Sequence, residues 1–425
     1  MLCQPSNTNE ITLSYYKTYD VACYKIDLFH LFFEKGIGIL KGHGKLSYIT
    51  PNTYLTNTYI EPLRELLLLN TIYNLTINAT GVFADANVDV CTICICKSKF
   101  IETTNPTEVK RMDITGVITS NILIDQESWI NNTNKIIGIQ PRFDISVNNT
   151  VALDNIASVT FGLQTKDKAT FVKTVKIDGQ WEYCYTGRDI SRYYLDEPSL
   201  YFMNKPEDVK AGGSWDMSIH HAIKIVVRQI GAPEPIFAFD KYGYATLNTM
   251  YSVVVNNTDI FSYKYILAIL CSSLIKKWWL SRFFDNKDLF PKIKGGQLKE
   301  IPIRDISLSE QQPFIDLADQ MLSMNADLQT KRQRFIKRLA DNLDNIKITG
   351  ALERFDEMEF KQFLEELKKQ KITLSLKQQD EWEEYFTASK TEYQALATQV
   401  AATDRQIDQM VYALYNPHPH RNRNH

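Results

Sequence analysis

Three cysteines lie close together in the segment CTICIC, and thiolates at such spacing are potential metal ligands. In a β-strand, however, side chains alternate between two faces, so Cys94 and Cys96 share one face while Cys91 points to the other. No second cluster of Cys or His lies close in sequence to complete a four-ligand site. The segment therefore favours a buried strand with small apolar thiols, and we predict no metal site.

A second group of reactive side chains is cationic. The segment TKRQRFIKRL, residues 330–339, carries five cations on three helical turns. Two interpretations stay open, namely contact with the backbone of a nucleic acid and a solvated helix face. The whole chain of 425 residues has 48 Lys and Arg against 50 Asp and Glu, a net charge of −2. Any nucleic-acid surface must therefore be a local basic face.

The first part of the chain predicts alternating helices and strands. Residues 25–41 repeat apolar side chains at helical spacing, and KLSYIT follows as a short strand. YIEPLRELLLLN predicts a second helix with Pro62 near its first turn. IYNLTIN and VDVCTICICK then predict two strands joined by a loop. This order is typical of the second half of an α/β sheet that finishes in an antiparallel hairpin.

The rest of the chain changes character twice. From about 115 to 305, short β-type runs alternate with turn residues around one predicted helix, KYILAILCSSLIKKWWLSRFF. From about 307 the pattern is helical, and the first long helix is predicted to open at Ser309 with Pro313 in its first turn. The stretch from about 376 to 415 has matching apolar spacing. We expect it to pack on the first long helix as an antiparallel hairpin or coiled-coil arm.

Composition favours a cytoplasmic protein. The N-terminus lacks the charged region and apolar core of a signal peptide, and no apolar run approaches the ~18–20 residues of a membrane span. Seven cysteines without a framework of spacings fit a reducing compartment.

Longer segments carry a family resemblance. YKIDLFHLFFEKGIGILKGHGKLSYITPNTYL, EPLRELLLL and VFADANVDVCTICICK resemble the later motifs of TaqI-like adenine-specific DNA methyltransferases, including fused restriction-modification enzymes of the type IIG class. YTGRDISRYY, KIVVRQIGAPEPIFAFDKYGYATLNTMYSVVV, YKYILAILCSSLIKKWW and FPKIKGGQLKEIPI resemble their C-terminal specificity domain. QQPFIDLADQML, KITLSLKQQDEWEEYF and TDRQIDQMVYALY resemble the helical segment that closes such chains. The resemblance runs from about residue 12 to 415.

The resemblance implies a fold class and domain boundaries. We expect an α/β domain with a partial Rossmann-like methyltransferase sheet, then a mixed α+β DNA-recognition domain and a C-terminal α-helical coiled-coil arm. The expected boundaries are residues 1–115 for the methyltransferase half, 116–305 for target recognition, 306–415 for the arm and 416–425 for a tail.

Two motifs that adenine methylation requires in this family are absent. One is a glycine-rich loop that admits S-adenosylmethionine, and the other is an Asn/Asp-Pro-Pro-aromatic loop that accepts hydrogen bonds from the adenine amine and stacks on the flipped base. The two Asn-Pro pairs, Asn105-Pro106 and Asn416-Pro417, have neither a second proline nor an aromatic residue after them, and the GIG and GHG segments stand in the wrong context. No catalytic residue is therefore assigned. S-adenosylmethionine is expected only with the missing N-terminal half, and Mg²⁺ only with a nuclease partner.

This absence predicts partners. In the family's doubly wound sheet, KLSYIT would be a central strand beside the strand that bears the missing loop, so a strand edge and two helix faces should be exposed. We expect double-stranded DNA and a polypeptide with the N-terminal methyltransferase half as partners. The expected function is DNA sequence recognition within a site-specific N6-adenine methyltransferase of the type IIG class. A non-catalytic DNA-binding specificity subunit and a degenerate remnant are the alternatives.

The resemblance also implies positions for the cofactor and the target base. Asp27 and Phe29 fall where the family's middle motif borders the adenosine side of the cofactor, although a solvated carboxylate and a core aromatic explain them as well. Pro51 and Asn52 end a strand at its carboxyl end, where open α/β sheets bind ligands. Phe83 matches the region whose aromatic packs on the extruded base, and a buried loop anchor is the alternative.

Candidate DNA contacts lie between residues 188 and 294. Reading a duplex needs forked donors for guanine, amides for adenine and cations for phosphates. Arg188 and Arg192 would share a face if a helix began after Gly187. Arg228 and Gln229 end a predicted strand before a turn. The last two candidates are Lys292 and Lys294. Their spacing is that of one strand face, and glycines follow them in the chain.

Overall fold

A computed structural model describes the chain in seven segments, and the predicted tail at 416–425 lies outside them: residues 9–79, 81–83, 88–99, 106–140, 143, 145–283 and 292–415. Contacts between Cα atoms divide the chain into two compact units, which are treated separately below: the first comprises residues 1–144, 231–234 and 277–292, and the second comprises 145–230, 235–276 and 293–425. Within the described segments, no helix has both the length and the apolar character needed to cross a bilayer.

The described residues of the first unit up to residue 140 contain four helices and five strands. In chain order they are α1 (Glu10–Tyr16), α2 (Leu28–Ile39), β1 (Lys45–Pro51), α3 (Glu61–Leu68), β2 (Asn70–Asn78), β3 (Val90–Lys99), β4 (Thr107–Met112), β5 (Ile118–Ile124) and α4 (Gln126–Ile130). Short 3-10 turns follow β1 at Asn52–Leu55 and Thr58–Ile60, and α4 at Thr133–Lys135.

The five strands form one sheet in the order β1-β3-β2-β4-β5. β2 and β3 pair antiparallel, which confirms the predicted hairpin. Pro62 lies in the first turn of α3, as predicted. The sheet continues past the expected boundary at residue 115 because β5 pairs with β4. Among the described residues, β1 pairs only with β3, so its other edge is open.

α2 forms because apolar side chains recur every three or four residues between the extended residues Asp27 and Leu40. Its stripe of Leu31, Phe33 and Ile37 is buried in the core beneath the sheet. Phe32 and Ile39 are seven residues apart and lie on another stripe of the helix, where they are 60% and 72% exposed. α2 thus carries a second apolar face that the described residues of the unit do not cover.

From residue 145 to residue 304 the chain forms short strands and helices, of which residues 277–283 belong to the first unit. The strands are β6 (Thr150–Ala152), β7 (Ala157–Phe161), β8 (Gln164–Thr165), β9 (Val172–Lys173), β10 (Trp181–Tyr185), β11 (Ile190–Ser191), β12 (Tyr194–Leu195), β13 (Leu200–Met203), β14 (Lys210–Gly212), β15 (Lys224–Arg228), β16 (Phe237–Asp240), β17 (Ala245–Thr246), β18 (Met250–Val255) and β19 (Pro302–Arg304). The helices are α5 (Leu153–Ile156), α6 (Lys168–Phe171), α7 (Pro206–Val209), α8 (Met217–His220), α9 (Tyr263–Cys271), α10 (Ser273–Phe283) and α11 (Gly295–Lys299).

Two four-stranded sheets organise this part, in the orders β17-β10-β13-β9 and β16-β15-β18-β7. The predicted runs KIVVRQI, PIFAFD and YSVVVN are strands, as expected from their β-branched residues. β15 is buried along most of its length, including Lys224. The Lys224 ammonium lies 2.7 Å from the Asp240 carboxylate, and both side chains are fully buried. Asp240 also accepts hydrogen bonds from three backbone N–H groups of the following turn, so the pair fixes the end of β16.

The prediction of one helix from residue 264 onward is wrong, because the helix is interrupted at Ser272 between α9 and α10. Ser272 is extended, with φ −69° and ψ 151°. The carbonyl of Cys271 accepts two hydrogen bonds from Arg192, and the N–H of Ser273 donates to Asp408. These distant partners satisfy the backbone groups that an unbroken helix would have used.

The remaining residues of the second unit are helical: α12 (Leu308–Asn342), α13 (Gly350–Glu353), a 3-10 turn (Phe355–Glu357), α14 (Phe360–Lys369) and α15 (Leu376–Tyr415). The predicted start at Ser309 is wrong, since Ser307 caps α12 in a capping box with Glu310. Pro313 consequently lies beyond the first turn. We call residues 308–415 the arm.

α12 and α15 pack antiparallel. Lys331 pairs with Glu392 at 2.8 Å, while further along α12 the rings of Phe335 and Phe386 lie 5.9 Å apart. Phe335 also stacks on Phe355 at 4.0 Å between centroids, and this aromatic cluster forms a core belonging to the arm itself. The antiparallel packing agrees with the predicted hairpin.

Removing the buried cation of the Lys224–Asp240 pair should destabilise the second unit. We expect Lys224→Met to cost about 3–5 kcal/mol, because the Asp240 carboxylate would stay buried without its counter-charge. Lys264→Met is the matched control, since Lys264 lies at the same 2.7 Å from Asp319 in a solvent-exposed pair. It should cost under about 1 kcal/mol. Urea unfolding measures both, and equal losses would contradict the prediction.

Candidate nucleic-acid interface

Four separate chain segments meet at the carboxyl end of β15. The N–H of Gly187 donates to the Thr249 hydroxyl at 2.8 Å, and the N–H of Gln229 donates to the Thr249 carbonyl at 2.9 Å. The Gln229 carbonyl accepts from the N–H of Ile293 at 2.8 Å. A side chain at position 187 would place its Cβ 3.0 Å from the Thr249 carbonyl, so the close approach favours glycine. We call this meeting point the recognition cluster, and it brings together four of the predicted contacts: Arg188, Arg228, Gln229 and Lys294.

Arg188 lies in a turn, so the helix after Gly187 that a shared face with Arg192 would require does not form. The Asp189 carboxylate accepts hydrogen bonds from the N–H and the hydroxyl of Thr186, which closes the turn before β11 begins at Ile190. The Arg188 side chain is exposed and has no ionic or hydrogen-bond partner among the described residues. It is therefore available to an external acceptor.

Arg228 and Gln229 adopt different roles at the end of β15. The Arg228 guanidinium donates to the carbonyl of Gly187, which ties the strand to the turn. Gln229 is half-buried, and its backbone is fixed on both sides by Thr249 and Ile293. Its side-chain amide has no hydrogen bond within the described part of the chain. Arg228 therefore positions the cluster, while the Gln229 amide is free to contact a ligand.

Lys292 and Lys294 are exposed on either side of the buried Ile293, which agrees with the predicted alternation. Lys294 is the N-terminal cap residue of α11. Neither ammonium group has a carboxylate partner among the described residues. Lys294 thus adds a free cation to the recognition cluster, and Lys292 lies two residues before it in the chain.

Arg192 does not share a face with Arg188, because it lies in the tight turn between β11 and β12. Its guanidinium contacts the Asp404 carboxylate at 2.5 and 2.9 Å and also donates to the Cys271 carbonyl. These bonds give Arg192 a structural role within the second unit. The neighbouring Tyr193 is buried, and Tyr194 is half-buried.

In the first unit, the predicted cofactor residues lie at the start of α2. Asp27 caps the helix without a side-chain hydrogen bond, and burial raises the pKa of its carboxyl. The Phe29 ring lies 5.9 Å from the ring of Tyr54 and 4.3 Å from that of His30. Phe29 therefore packs on the core, as the core-aromatic alternative predicted.

Pro51 ends β1, and Asn52 begins the 3-10 turn that a buried arginine holds. The Arg64 guanidinium donates to the carbonyls of Tyr54, Asn57 and Asn134 at 2.6–3.0 Å. The N–H of Asn52 donates to the carbonyl of Asp89 in the loop before β3. The turn after β1 and this loop therefore meet at one end of the sheet.

Phe83 lies in the β2–β3 loop and is 44% exposed, with Val82 beside it at 42%. The alternative of a buried loop anchor is wrong. An exposed phenyl ring offers a face on which a base could stack.

The cysteine triplet follows the strand alternation predicted for it. Cys91 is buried against the Tyr54 hydroxyl, and burial raises the pKa of its thiol to about 11. Cys94 is half-exposed on the other face, 3.1 Å from the Ser47 hydroxyl. The described residues contain no group of three or more His, Cys, Asp or Glu that could hold a metal ion.

Two residues of these sites were not anticipated. Thr249 joins the segments of the recognition cluster, but it lies in a turn without a distinguishing pattern, and its partners are distant in sequence. His30 is buried beside Phe29, and neither ring nitrogen has a hydrogen-bond partner among the described residues. Only its place on the buried stripe of α2 could have indicated it.

Three family models match successive parts of the chain. Residues 4–83 match the model of the Eco57I restriction-modification methylase family, and residues 182–303 match the TaqI-like C-terminal specificity domain. Residues 307–411 match a domain of unknown function, DUF8810. The chain therefore combines a segment similar to restriction-modification methylases with a TaqI-like specificity segment, and the predicted resemblance is confirmed. A search of curated proteins gives no match.

Solved structures of restriction-modification enzymes are similar to the chain. One is the type IIL enzyme MmeI in complex with DNA, with a TM-score of 0.51 and 10% identity over 91% of this chain and 53% of that chain. Another is the type IIG restriction endonuclease BpuSI, with a TM-score of 0.31 and 9% identity over 96% of this chain and 52% of that chain. The likeness to MmeI concerns the fold. The chain spans about half the length of either enzyme.

The stability of the first unit should fall at mildly acidic pH because of His30. Burial lowers the pKa of its imidazole to about 4, below the ~6.5 of an unfolded chain. The unfolded state therefore takes up the proton first, and stability present above about pH 6.5 is lost as the pH falls. We expect a loss of about 2 kcal/mol between pH 7 and pH 5.

Urea unfolding of the wild type and His30→Phe at both pH values measures this loss. His30→Phe should lose little stability between pH 7 and pH 5. The control variant His221→Phe, which replaces an exposed histidine, should lose as much stability as the wild type. An unchanged pH dependence in His30→Phe would contradict the assignment.

Proposed function

We propose that the chain recognises duplex DNA as the specificity-bearing part of a site-specific N6-adenine methyltransferase in a restriction-modification system of the type IIG class, in the cytoplasm. The observation that carries the proposal is the recognition cluster. Its hydrogen bonds hold together the backbone segments that carry the free side chains of Arg188, Gln229 and Lys294, within the segment similar to TaqI-like specificity domains.

The chemistry of these side chains suits base reading. A guanidinium donates two parallel hydrogen bonds to guanine, and a glutamine amide pairs with the donor and acceptor of adenine in the major groove. Arg188 supplies the guanidinium and Gln229 supplies the amide. Both belong to the recognition cluster, whose backbone hydrogen bonds are made within the chain. Lys294, with Lys292 before it in the chain, would contact phosphates that set the register.

The open edge of β1 supports the second part of the proposal, a complementary methyltransferase half. The hydrogen bonds flanking the β1–β3 pairing involve Gly44 and Asn52, so the even-numbered residues of β1 face β3. The N–H and C=O groups of Lys45, Ser47 and Ile49 point to the open edge. A strand from the half that carries the Pro-Pro loop would pair there. Its helices would cover the exposed apolar stripe of α2.

In the assembled enzyme, that half would supply S-adenosylmethionine and the loop that accepts the adenine amine. This chain would add the turn at Pro51 and Asn52 and the exposed ring of Phe83 as a stacking face for a flipped base. Asp27 and Phe29 would border the cofactor from the first turn of α2. Mg²⁺ would be needed only by an associated nuclease.

A second candidate function is a DNA-binding specificity subunit without chemistry. The observation that favours it is the composition of the second unit, which joins the specificity segment to the arm and contains its own hydrophobic cores. The two candidates differ in one outcome. Addition of a polypeptide with the glycine-rich and Pro-Pro loops restores DNA methylation and binding of S-adenosylmethionine only under the first.

Gln229→Ala should relax the preference for one base pair of the recognised sequence. A bidentate contact to a base is worth about 1–3 kcal/mol of discrimination. Selection from a random duplex library, followed by anisotropy titrations, measures the preference at each position. Gln180→Ala removes an exposed glutamine elsewhere in the second unit and should leave the preference unchanged. Equal sequence profiles for Gln229→Ala and the wild type would refute the assignment.

Ser47→Pro should block assembly with the methyltransferase half without disturbing β3. Proline removes an N–H that points to the open edge, and edge strands tolerate it on that side. Ser47→Val is the control, because it loses the same hydroxyl but keeps the N–H. Co-purification with the complementary polypeptide should fall at least tenfold for Ser47→Pro alone. Equal recovery of both variants would place the partner elsewhere.

A further inference from the structure

The arm carries an exposed row of cations on α12. Arg334, Lys337 and Arg338 are three and four residues apart, so they lie on one face of the helix. All three side chains are exposed, and none has a carboxylate within ion-pair distance among the described residues. We call this row the basic ridge.

The two cations that lie before the ridge on α12 have structural roles. Lys331 pairs with Glu392, and Arg332 donates to the Tyr393 hydroxyl with its guanidinium 5.2 Å from that ring. Both are half-buried against α15. Packing of α12 on α15 therefore explains Lys331 and Arg332, but it does not explain the charges of the ridge.

The ridge lines a groove of about 470 Å³ together with Gln333 and Tyr385. The Arg338 guanidinium lies 5.7 Å from the Tyr385 ring, which limits the orientations it can adopt. The groove has a single carboxylate in its lining, that of Asp341. The groove therefore offers mainly hydrogen-bond donors, which suit an anion with several oxygen atoms.

The charge of the surrounding helices sets the ridge apart. Residues 306–415 contain 14 Lys and Arg against 19 Asp and Glu, and five of these cations lie within residues 331–338. In a generally acidic arm, a merely solvated row of cations would find many acidic neighbours. Among the described residues the ridge cations instead form no ion pair within 4.0 Å, although Glu392, the partner of Lys331, interacts with Arg334 at longer range.

We infer that the basic ridge binds the phosphate backbone of duplex DNA beside the sequence read by the recognition cluster. This assignment rests on the proposed function, and it gives a role to the segment that matches a domain of unknown function. Guanidinium groups fit phosphate oxygens as a fork, and Lys337 adds a point charge between them. Duplex DNA is favoured over an acidic protein segment because the same compact unit carries the recognition cluster.

The position of the ridge predicts a long footprint. At 1.5 Å per residue, Arg334 lies about 22 Å along α12 from Asp319, whose pair with Lys264 joins α12 to α9. That length corresponds to about six base pairs of B-DNA.

The experiment measures duplex binding by the full chain as a function of salt. Arg334→Ala combined with Lys337→Ala leaves Arg338 on its tyrosine and removes two contacts. On a duplex of about 40 base pairs, log K against log salt should be less steep by about 2 for this variant, since each phosphate contact contributes about 0.9. Between 50 and 200 mM salt, the wild type should lose about tenfold more affinity than the variant.

Lys347→Ala combined with Lys361→Ala is the control, because it removes the same charge from exposed arm positions outside the ridge. It should keep the wild-type slope, and circular dichroism checks that both variants stay helical. A slope in the ridge variant equal to that of the control would overturn the inference and leave an acidic protein partner for the ridge. Absence of duplex binding by the wild type would instead overturn the proposed function, and this inference with it.

Discussion

The second unit depends on two aspartates one helical turn apart on α15. Asp404 holds the Arg192 guanidinium, which also donates to the Cys271 carbonyl, and Asp408 accepts the N–H of Ser273. The carbonyl and the N–H belong to the two sides of the helix break at Ser272. A helix end requires partners for its free backbone groups, and here the arm supplies them. Displacing α15 would leave a guanidinium, a carbonyl and an amide without partners at once.

A second contact fixes the end of α15. The Tyr415 hydroxyl donates to the Pro302 carbonyl at 2.7 Å, and Arg304 donates to the Leu414 carbonyl at 2.8 Å. The N-terminal part of α12 is also anchored, since Gln311 accepts the N–H of Ser262. The specificity segment and the arm match separate family models, yet their buried polar contacts make them one structural body.

The sequence was informative where neighbouring residues decide the structure. The run of β-branched residues was sufficient for β15, and the two apolar runs separated by a loop were sufficient for the β2–β3 hairpin. The sequence pattern was misleading where a contact with a distant residue determines the local structure. The spacing of Arg188 and Arg192 is that of a helix face, but Asp404, 212 residues from Arg192, holds that arginine in a turn. The break at Ser272 likewise depends on Asp408, 135 residues beyond Ser273. The candidate DNA contacts were predicted by residue type, whereas their meeting through Thr249 follows only from the fold.

The recognition cluster separates its frame from its reading side chains. Backbone atoms and the Thr249 hydroxyl make the hydrogen bonds that join its segments, while Arg188 and Gln229 extend from main chain that is already fixed. Exchange of either side chain leaves those bonds intact, whereas a larger residue at Gly187 would force the segments apart. Selection can therefore act on the two kinds of position independently. A lineage can shift to a new target sequence through single codon changes at the reading positions, while the frame residues stay under purifying constraint.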